Sequence, residues 1–282
     1  MSSVAAPVPR RRALASLWAV ATHGTFALGV AAMAWALFAG LHPWGSGGDE
    51  AGGPLAWTVD LLLLAQFPLL HSWLLTRDGR PRFGTRLVLG DGVLGTSRFV
   101  IASSLQLLLT FGLWRPLSAA AWRPGGALLV VHCALFATSW VLLVVAMTEA
   151  GLSVQTGSLG WTSLWRGERP RFPAFRPRGL HALVRHPIYV AFALVLWTAP
   201  TWTLDRFVLG SAWTAYCVLG ARRKEARLFA RHGAAWAEYS ARTPFFVPRF
   251  GRRKPALESA APARMLAAPA ARAGGGSCAS SS

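Results

Sequence analysis

Two short stretches of the sequence set charged side chains against apolar segments. The first, LVRHPIYVAF, places Arg185 and His186 directly before Pro187 and an apolar run, and the second, RRKEARL, holds Glu225 among basic residues. An arginine beside a helix start binds carboxylates and phosphates well, because guanidinium and backbone N–H groups both donate to anions. A carboxylate binds ammonium or hydroxyl groups in return. These residue types therefore predict a site for a small charged ligand.

Pro187 indicates how the first stretch is shaped. Proline disfavours helical geometry at the residue before it and suits the first position of a new helix, so we predict that a helix begins after His186. The N–H groups of its first turn, from Ile188 onward, then lack partners and form the positive end of the helix dipole. A plainer alternative stays open, in which Arg185 extends to lipid headgroups and His186 is an interfacial histidine.

Glu225 belongs to a predicted amphipathic helix that starts near Ala221. Five residues at spacings of three and four share its stripe: Glu225, Leu228, His232, Trp236 and Tyr239. A basic helix lying on a membrane surface explains the same pattern equally well. A carboxylate on an apolar stripe needs a cationic partner, however. Only residues 201–203 separate the two preceding apolar segments, and this tight hairpin returns Glu225 toward Arg185 and His186.

The elements that position these residues are predicted to be membrane helices. A chain of 282 residues with 53% hydrophobic side chains and 14 tryptophans is too apolar for an ordinary soluble domain. We predict an all-α polytopic membrane protein with about six transmembrane helices. The six predicted spans are Ser16–Gly40, Leu55–Leu75, Phe99–Leu117, Gly126–Met147, Ile188–Pro200 and Leu204–Gly220. The fifth reaches only about 20 Å, less than the roughly 30 Å hydrocarbon core, so it is a half-span or uses residues upstream.

Charge predicts the orientation and the domain bounds. With the N-terminus inside, 26 of the 29 Lys and Arg residues fall on the cytoplasmic side, so both termini are predicted to be cytoplasmic. Because the net charge of +18 is spread between spans and along the tail, membrane lipids are the expected partner rather than nucleic acid. Residues 1–15 form a basic N-terminus, 16–250 the membrane domain with its cofactor-binding part at 177–250, and 251–282 a disordered tail.

Several other activities lack their sequence signatures. The three cysteines are far apart and form no CxxC, so neither a zinc site nor a disulfide framework is indicated, and we expect no metal. The GSGGDE segment at residues 45–50 follows no predicted strand and is interpreted as a flexible loop. The GxSxG elbow of many hydrolases is missing. No internal repeat indicates a transporter.

The motifs resemble those of a known family. RHPIY, then a spacing of about 35 residues, RRKEARL, HGAAWAEY and a proline resemble the C-terminal signature of the integral membrane methyltransferases related to isoprenylcysteine carboxyl methyltransferase and the phospholipid methyltransferases. Upstream, LLHSWLLTR, FGLWRPL and LWTAPTWT resemble the bacterial branch that contains methanethiol S-methyltransferase and the NnrU-like proteins. The sequence departs from the signature where Lys224 replaces the first of two glutamates, and where His181 ends a segment that is often Gly-Pro-Tyr.

The resemblance implies a cofactor and a set of residues. The cofactor is S-adenosylmethionine, and the residues implied to bind it are His186, Pro187, Tyr189, Glu225, Trp236 and Tyr239. Arg185 and Glu225 are implied to line the pocket that cofactor and substrate share. His71, near the cytoplasmic end of the second span, either lines the path of the acceptor and assists its deprotonation or is an interfacial histidine.

The expected function is methyl transfer to a small thiol or hydrophobic acceptor, with methanethiol-type S-methylation favoured, in the bacterial cytoplasmic (inner) membrane. Two alternatives stay open. One is methylation of an isoprenylcysteine carboxyl group or of a phospholipid, and the other is a non-catalytic NnrU-like membrane protein that keeps the scaffold alone.

Overall fold

The computed structural model describes residues 8–41, 52–75, 92–174 and 177–248, and this part of the protein is mainly helical. The helices are α1 (Val8–Phe38), α2 (Pro54–Leu75), α3 (Gly95–Leu113), α4 (Gly126–Glu149), α5 (Leu152–Gln155), α6 (Ser158–Arg166), α7 (Leu180–Leu183), α8 (Pro187–Thr198), α9 (Leu204–His232) and α10 (Ala234–Arg242). Two short strands, β1 (Ala121–Trp122) and β2 (Trp202–Thr203), pair antiparallel. This small ladder departs from the predicted all-α class without changing the helical architecture.

Four of the helices are long and apolar enough to cross a membrane. They are α1 to α4, and the shortest, α3, has 19 residues, which at about 1.5 Å per residue approaches the thickness of the hydrocarbon core. Many of their large apolar side chains are exposed, including Leu17, Val20, Leu28, Leu62, Leu69, Val130 and Val141. Such a surface is unfavourable in water and favourable in lipid. The chain is therefore an integral membrane protein, and the first four predicted spans are confirmed as helices.

The bounds of two of these helices differ from the prediction. α1 begins eight residues before the predicted start at Ser16, so part of the predicted basic N-terminus is helical. The predicted third span, Phe99–Leu117, is wrong at both ends, because α3 begins and ends four residues earlier. Trp114 has an extended backbone with ψ of 134°, and the chain then reaches Pro116, which disfavours helical geometry in the residue before it.

Helix α8 is short, as Pro187 at its start and Pro200 just after its end indicate. Its 12 residues span about 18 Å, much less than the hydrocarbon core. It packs against α4 and α9, and its residues Ala191, Val195 and Leu196 are fully buried against Trp213 of α9. The core around α8 fixes where its first residues lie.

The predicted helix from Ala221 through Tyr239 is wrong. α9 runs without interruption from the predicted sixth span to His232, and the chain then turns at Gly233 into α10. Gly233 has φ of +51° and ψ of −123°, a conformation that a side chain disfavours, so glycine suits this position. The stripe drawn through Glu225 and Tyr239 is thus divided between two helices.

A buried arginine closes the turn between α8 and α9. Arg206 is 1% exposed, and its Nε donates to the carbonyl of Leu196 at 3.0 Å, while Nη1 donates to the carbonyls of Ala199 and Thr201. These carbonyls belong to the end of α8 and to the turn, where backbone acceptors lack helical partners. The neighbouring Asp205 accepts hydrogen bonds from the segment after α3. One buried pair of residues therefore fixes α8 to α9 and both to α3.

We predict that Arg206→Met lowers the apparent melting temperature of the purified protein by several degrees or more. The variant leaves three carbonyls without their donor, and an unsatisfied buried group costs about 1–3 kcal/mol. Differential scanning fluorimetry in detergent measures the change. Arg222→Gln, an exposed arginine on the same helix, is the matched control and should melt like the wild type. Equal melting of both variants would contradict this role for Arg206.

Candidate functional site

The site lies at the start of α8, at the opposite end from Arg206. Pro187 is the first residue of α8, as the sequence predicts, and His186 before it has a non-helical backbone with φ of −129° and ψ of 59°. In the part of the chain that the structure describes, the His186 side chain makes no capping hydrogen bond to this end of the helix. The first backbone N–H groups of α8 and the positive end of its dipole are consequently available to an anionic group.

Glu225 joins this end of α8 to α9. Its Oε1 lies 2.7 Å from Nη1 of Arg185 and 3.1 Å from Nε2 of His186. The Glu225 and Arg185 side chains are 23% and 17% exposed, and the His186 side chain is completely buried. The predicted convergence of Arg185, His186 and Glu225 is therefore present, and it rests on the tight turn between α8 and α9.

The protonation states follow from burial. Burial, and then the positive charges of Lys224 and Arg185, lower the pKa of His186 to about 3, so its ring is neutral. Because Nε2 faces the Glu225 carboxylate, we place the ring proton on Nε2, which leaves Nδ1 as an acceptor. Burial raises the pKa of Glu225, and Arg185 offsets part of that effect. Within the described residues, His186 Nδ1 and Arg185 Nε are buried without a hydrogen-bond partner.

Aromatic rings surround His186. The rings of Phe245, Phe246 and Tyr189 lie with centroids 4.9, 6.1 and 5.8 Å from the imidazole, respectively. The Arg185 guanidinium lies 5.2 Å from the centre of the Phe245 ring, and the Arg185 backbone N–H donates to the carbonyl of Pro244 at 2.9 Å. The segment after α10 thus returns over the site. Phe245 and Phe246 were not predicted as site residues, because their only signal in the sequence is an aromatic pair inside PFFVP.

Tyr239 and Trp236 of α10 lie beside the segment that leads into the site. The Tyr239 hydroxyl donates to the carbonyl of His181 at 2.6 Å, and burial raises the pKa of Tyr239 to about 12, which keeps that hydroxyl protonated. Trp236 is 5% exposed and packs on the Tyr239 ring at a centroid distance of 5.1 Å. Tyr239 therefore holds the backbone before Arg185, and Trp236 supports Tyr239.

The departure at His181 has a structural explanation. Glu149, the last residue of α4, accepts a hydrogen bond from the backbone N–H of Leu180 at 2.8 Å and lies 3.6 Å from Nδ1 of His181. Gly179, with φ of +56°, leaves room for the Glu149 carboxylate, which a Cβ atom would overlap. His181 and Glu149 thus fasten the segment before Arg185 to α4.

His71 lies in a different environment from Arg185 and Glu225. Its Nδ1 is 3.1 Å from the Ser103 hydroxyl, and its ring packs between Phe67 and Phe99 with centroids at 5.0 and 4.9 Å. The adjacent Ser72 donates to the hydroxyl of Tyr216 on α9 at 3.3 Å. No contact found within the described ranges joins His71 to Glu225, so the structure does not bring this predicted residue into the cluster.

Metal ligation has no evident place among the residues that the structure describes. No group of three or more His, Cys, Asp or Glu side chains lies together there in a way that could hold a metal ion. The chemistry at the site is instead that of a cation, a neutral imidazole, a carboxylate and a helix start, enclosed by aromatic rings. Together with the apolar helices, these features define an integral membrane protein with an ion-paired cluster of Arg185, His186 and Glu225 at one end of α8.

Comparison with known proteins identifies the family. The chain is 30% identical over 204 residues to a methanethiol S-methyltransferase of a Pseudomonas species, covering 71% of this chain and 76% of that protein. It is 30% identical over 197 residues to the enzyme of the same name from Crocosphaera subtropica, covering 69% and 76%. Nurim of Xenopus laevis is 28% identical over 199 residues, covering 62% and 67%. No family model and no solved structure matches. The chain belongs to the methanethiol S-methyltransferase family, and it is a methyltransferase.

We predict that acid destabilises the protein partly through His186. The folded pKa of about 3 lies below the ordinary value of 6.5, so between these values the unfolded chain binds more protons and stability falls as the pH falls. The raised pKa of Glu225 acts in the opposite sense, so the comparison must be made between variants. His186→Gln should reduce the loss of apparent melting temperature between pH 7 and pH 4.5, whereas the exposed His232→Gln should not. Equal slopes in wild type and His186→Gln would refute a neutral buried imidazole.

Proposed function

We propose that the protein transfers the methyl group of S-adenosylmethionine to a small thiol, with methanethiol as the favoured acceptor. The observation that carries the proposal is the cluster of Arg185, His186 and Glu225 at the uncapped start of α8. The names of the Pseudomonas and Crocosphaera relatives support this choice of acceptor. Isoprenylcysteine and phospholipid acceptors have less support, because none of the curated relatives described above carries such a name.

The residues at the start of α8 fit the chemical groups of S-adenosylmethionine. Arg185, whose Nε is buried without a hydrogen-bond partner in the described structure, and the first N–H groups of α8 suit a carboxylate. Glu225 suits an ammonium group or ribose hydroxyls, and the bare Nδ1 of His186 suits a donor. Tyr189 and Tyr239 offer aromatic edges or faces to an adenine ring. Trp236 is almost wholly buried, so we assign it the support of Tyr239.

The protein's part in the reaction is to bind, orient and exclude water. Bound S-adenosylmethionine would supply a methyl group on a sulfonium sulfur, and a nucleophile would attack the methyl carbon from the side opposite that sulfur. Arg185, Glu225 and the start of α8 hold charged groups at fixed positions, and this positioning supplies much of the rate enhancement in a displacement. The rings of Phe245 and Phe246 cover the site and limit the access of water.

The arrangement in the membrane follows from charge and helix length. We propose that α1 to α4 cross the cytoplasmic (inner) membrane of a bacterium, and that α8 and the first part of α9 complete six crossing elements with both termini cytoplasmic. The start of α8 and the basic end of α9 then face the cytoplasm, where the cofactor is dissolved. Under this arrangement, α10 lies at the interface, and lipids surround the apolar helices. The predicted tail, 251–282, lies outside the described residues.

The test of the acceptor is a competition among chemical classes. Purified protein in liposomes receives S-adenosylmethionine labelled in the methyl group together with methanethiol, a farnesylated cysteine or the liposome phospholipid alone. We expect label in dimethyl sulfide, measured by gas chromatography, and at least a hundredfold lower rate for His186→Ala. Label confined to phospholipid or to the farnesylcysteine ester would overturn the thiol assignment. Absence of label from every acceptor would instead favour a non-catalytic member of the family.

A further inference from the structure

Lys224 precedes Glu225 on α9 but contacts a different part of the chain. Successive residues of a helix point about 100° apart, so the two neighbours on α9 contact different parts of the chain. Glu225 meets Arg185 and His186, whereas Nζ of Lys224 lies 5.9 Å from the centre of the Tyr189 ring in the first turn of α8. Lys224 is partly buried. It therefore lies beside the start of α8, in the part of the molecule where the proposed cofactor pocket would form.

The carboxylates near Lys224 are already paired with other residues. Glu225 is held by Arg185 and by Nε2 of His186, and His181 lies beside Glu149. Lys224 forms no ion pair with an aspartate or glutamate in the part of the chain that the structure describes. Lys224 is thus an amine inside the pocket that no carboxylate of the described chain holds in its charged form.

The surroundings of Lys224 disfavour its ammonium form. The ionisable groups that face it are His181 and His186 from the segment before α8, Tyr189 of α8, and Arg227 on its own helix. Burial and then the charge of Arg227 lower the pKa of Lys224. A sulfonium cation bound in the pocket would repel the ammonium further. Burial and these positive charges increase the share of the neutral amine, which accepts a proton, and the Tyr189 ring, 5.9 Å from Nζ, opposes them weakly at this distance.

We propose that Lys224 is the base that removes the proton from the acceptor thiol, an inference that rests on the proposed function. The S–H bond of the thiol breaks and its proton passes to Nζ, which forms an ammonium group. The thiolate electron pair then forms a bond to the methyl carbon, and the bond from that carbon to the sulfonium sulfur breaks with its electrons remaining on that sulfur. The products are a neutral methyl thioether and a neutral demethylated donor. Lys224 afterwards releases its proton to water.

The lysine at this position therefore adapts the site to an acceptor that must be deprotonated. An alkyl thiol is mainly protonated at neutral pH, because its pKa resembles that of a free cysteine or lies above it, and the thiolate is the nucleophile. A second glutamate here would place another negative charge beside Glu225 and disfavour a thiolate. A neutral amine that becomes a cation as it takes the proton stabilises the thiolate it has formed.

Two variants of Lys224 test the proposal with two thiols. Lys224→Met removes the base. Lys224→Arg keeps a positive charge, but the guanidinium stays protonated and cannot accept the proton of the thiol. With methanethiol, we expect kcat/KM to fall by about a hundredfold or more in both variants, the usual contribution of general base catalysis. With thiophenol, which is largely ionised at neutral pH, both variants should stay within about fivefold of wild type. The affinity for S-adenosylmethionine, measured by calorimetry, should change by less than about threefold.

The outcomes separate this proposal from the proposed function. Equal losses with both thiols, or full activity of Lys224→Arg with methanethiol, would overturn the role of Lys224 as a base while leaving thiol methylation intact. A wild type that methylates neither thiol would overturn the proposed function itself, and this proposal with it. Arg222→Gln, an exposed neighbour on α9, is the control that should retain wild-type rates.

A second readout needs no turnover. The sequence has two lysines, Lys224 and Lys254, so acylation by acetic anhydride can be followed at each by mass spectrometry, with Lys254 as the internal reference. Only the neutral amine reacts, so restricted access to the amine changes the rate of acylation, whereas the pKa of the amine sets the midpoint of the pH dependence. We expect the midpoint for Lys224 to lie below that for Lys254, because burial and the charge of Arg227 lower the pKa of Lys224. A midpoint at or above that of Lys254 would contradict the proposal.

Discussion

The carboxylate of Glu225 joins two segments of the chain whose charged residues would otherwise be costly to bury. Arg185 and the neutral ring of His186 lie 40 and 39 positions before it, and both contact the same oxygen. Removing one member of such a buried group leaves the others without a partner, which is more costly than the loss of the contact alone. The tight turn and the apolar core bring α9 beside the start of α8, and this shared oxygen then holds Arg185 and His186 in one cluster.

The two ends of α8 differ in a way that matches their roles. At the carboxyl end, Arg206 donates to three carbonyls, and the turn into α9 is closed. At the amino end no side chain caps the helix, and the neighbouring polar atoms of Arg185 and His186 are buried without partners in the described structure. One end of the helix is satisfied by the protein itself, which fixes it, whereas the other offers donors and an acceptor to a ligand.

Local sequence rules predicted the parts of the site that depend on single residues. Pro187 indicated where α8 begins, and the short 201–203 connection indicated that Glu225 returns to Arg185. The rules failed where distant contacts decide the structure. Glu149, Phe245 and Phe246 approach the site through tertiary packing that no periodic pattern records, and the burial of Arg206 likewise depends on the backbone carbonyls of the turn between α8 and α9. The predicted C-terminal helix is divided at Gly233, where glycine adopts a backbone conformation that other residues disfavour. A glycine in the sequence does not by itself predict that conformation.

Isothermal titration calorimetry of S-adenosylmethionine tests the central claim most directly, namely that Glu225 assembles the cofactor pocket. Wild type should bind, and Glu225→Gln should bind at least tenfold more weakly, a difference of about 1.4 kcal/mol. The matched control is Glu238→Gln, an exposed glutamate of α10 that pairs with Arg242, and its affinity should equal that of wild type. Equal affinities of wild type and Glu225→Gln, or no binding by folded wild type, would contradict the account.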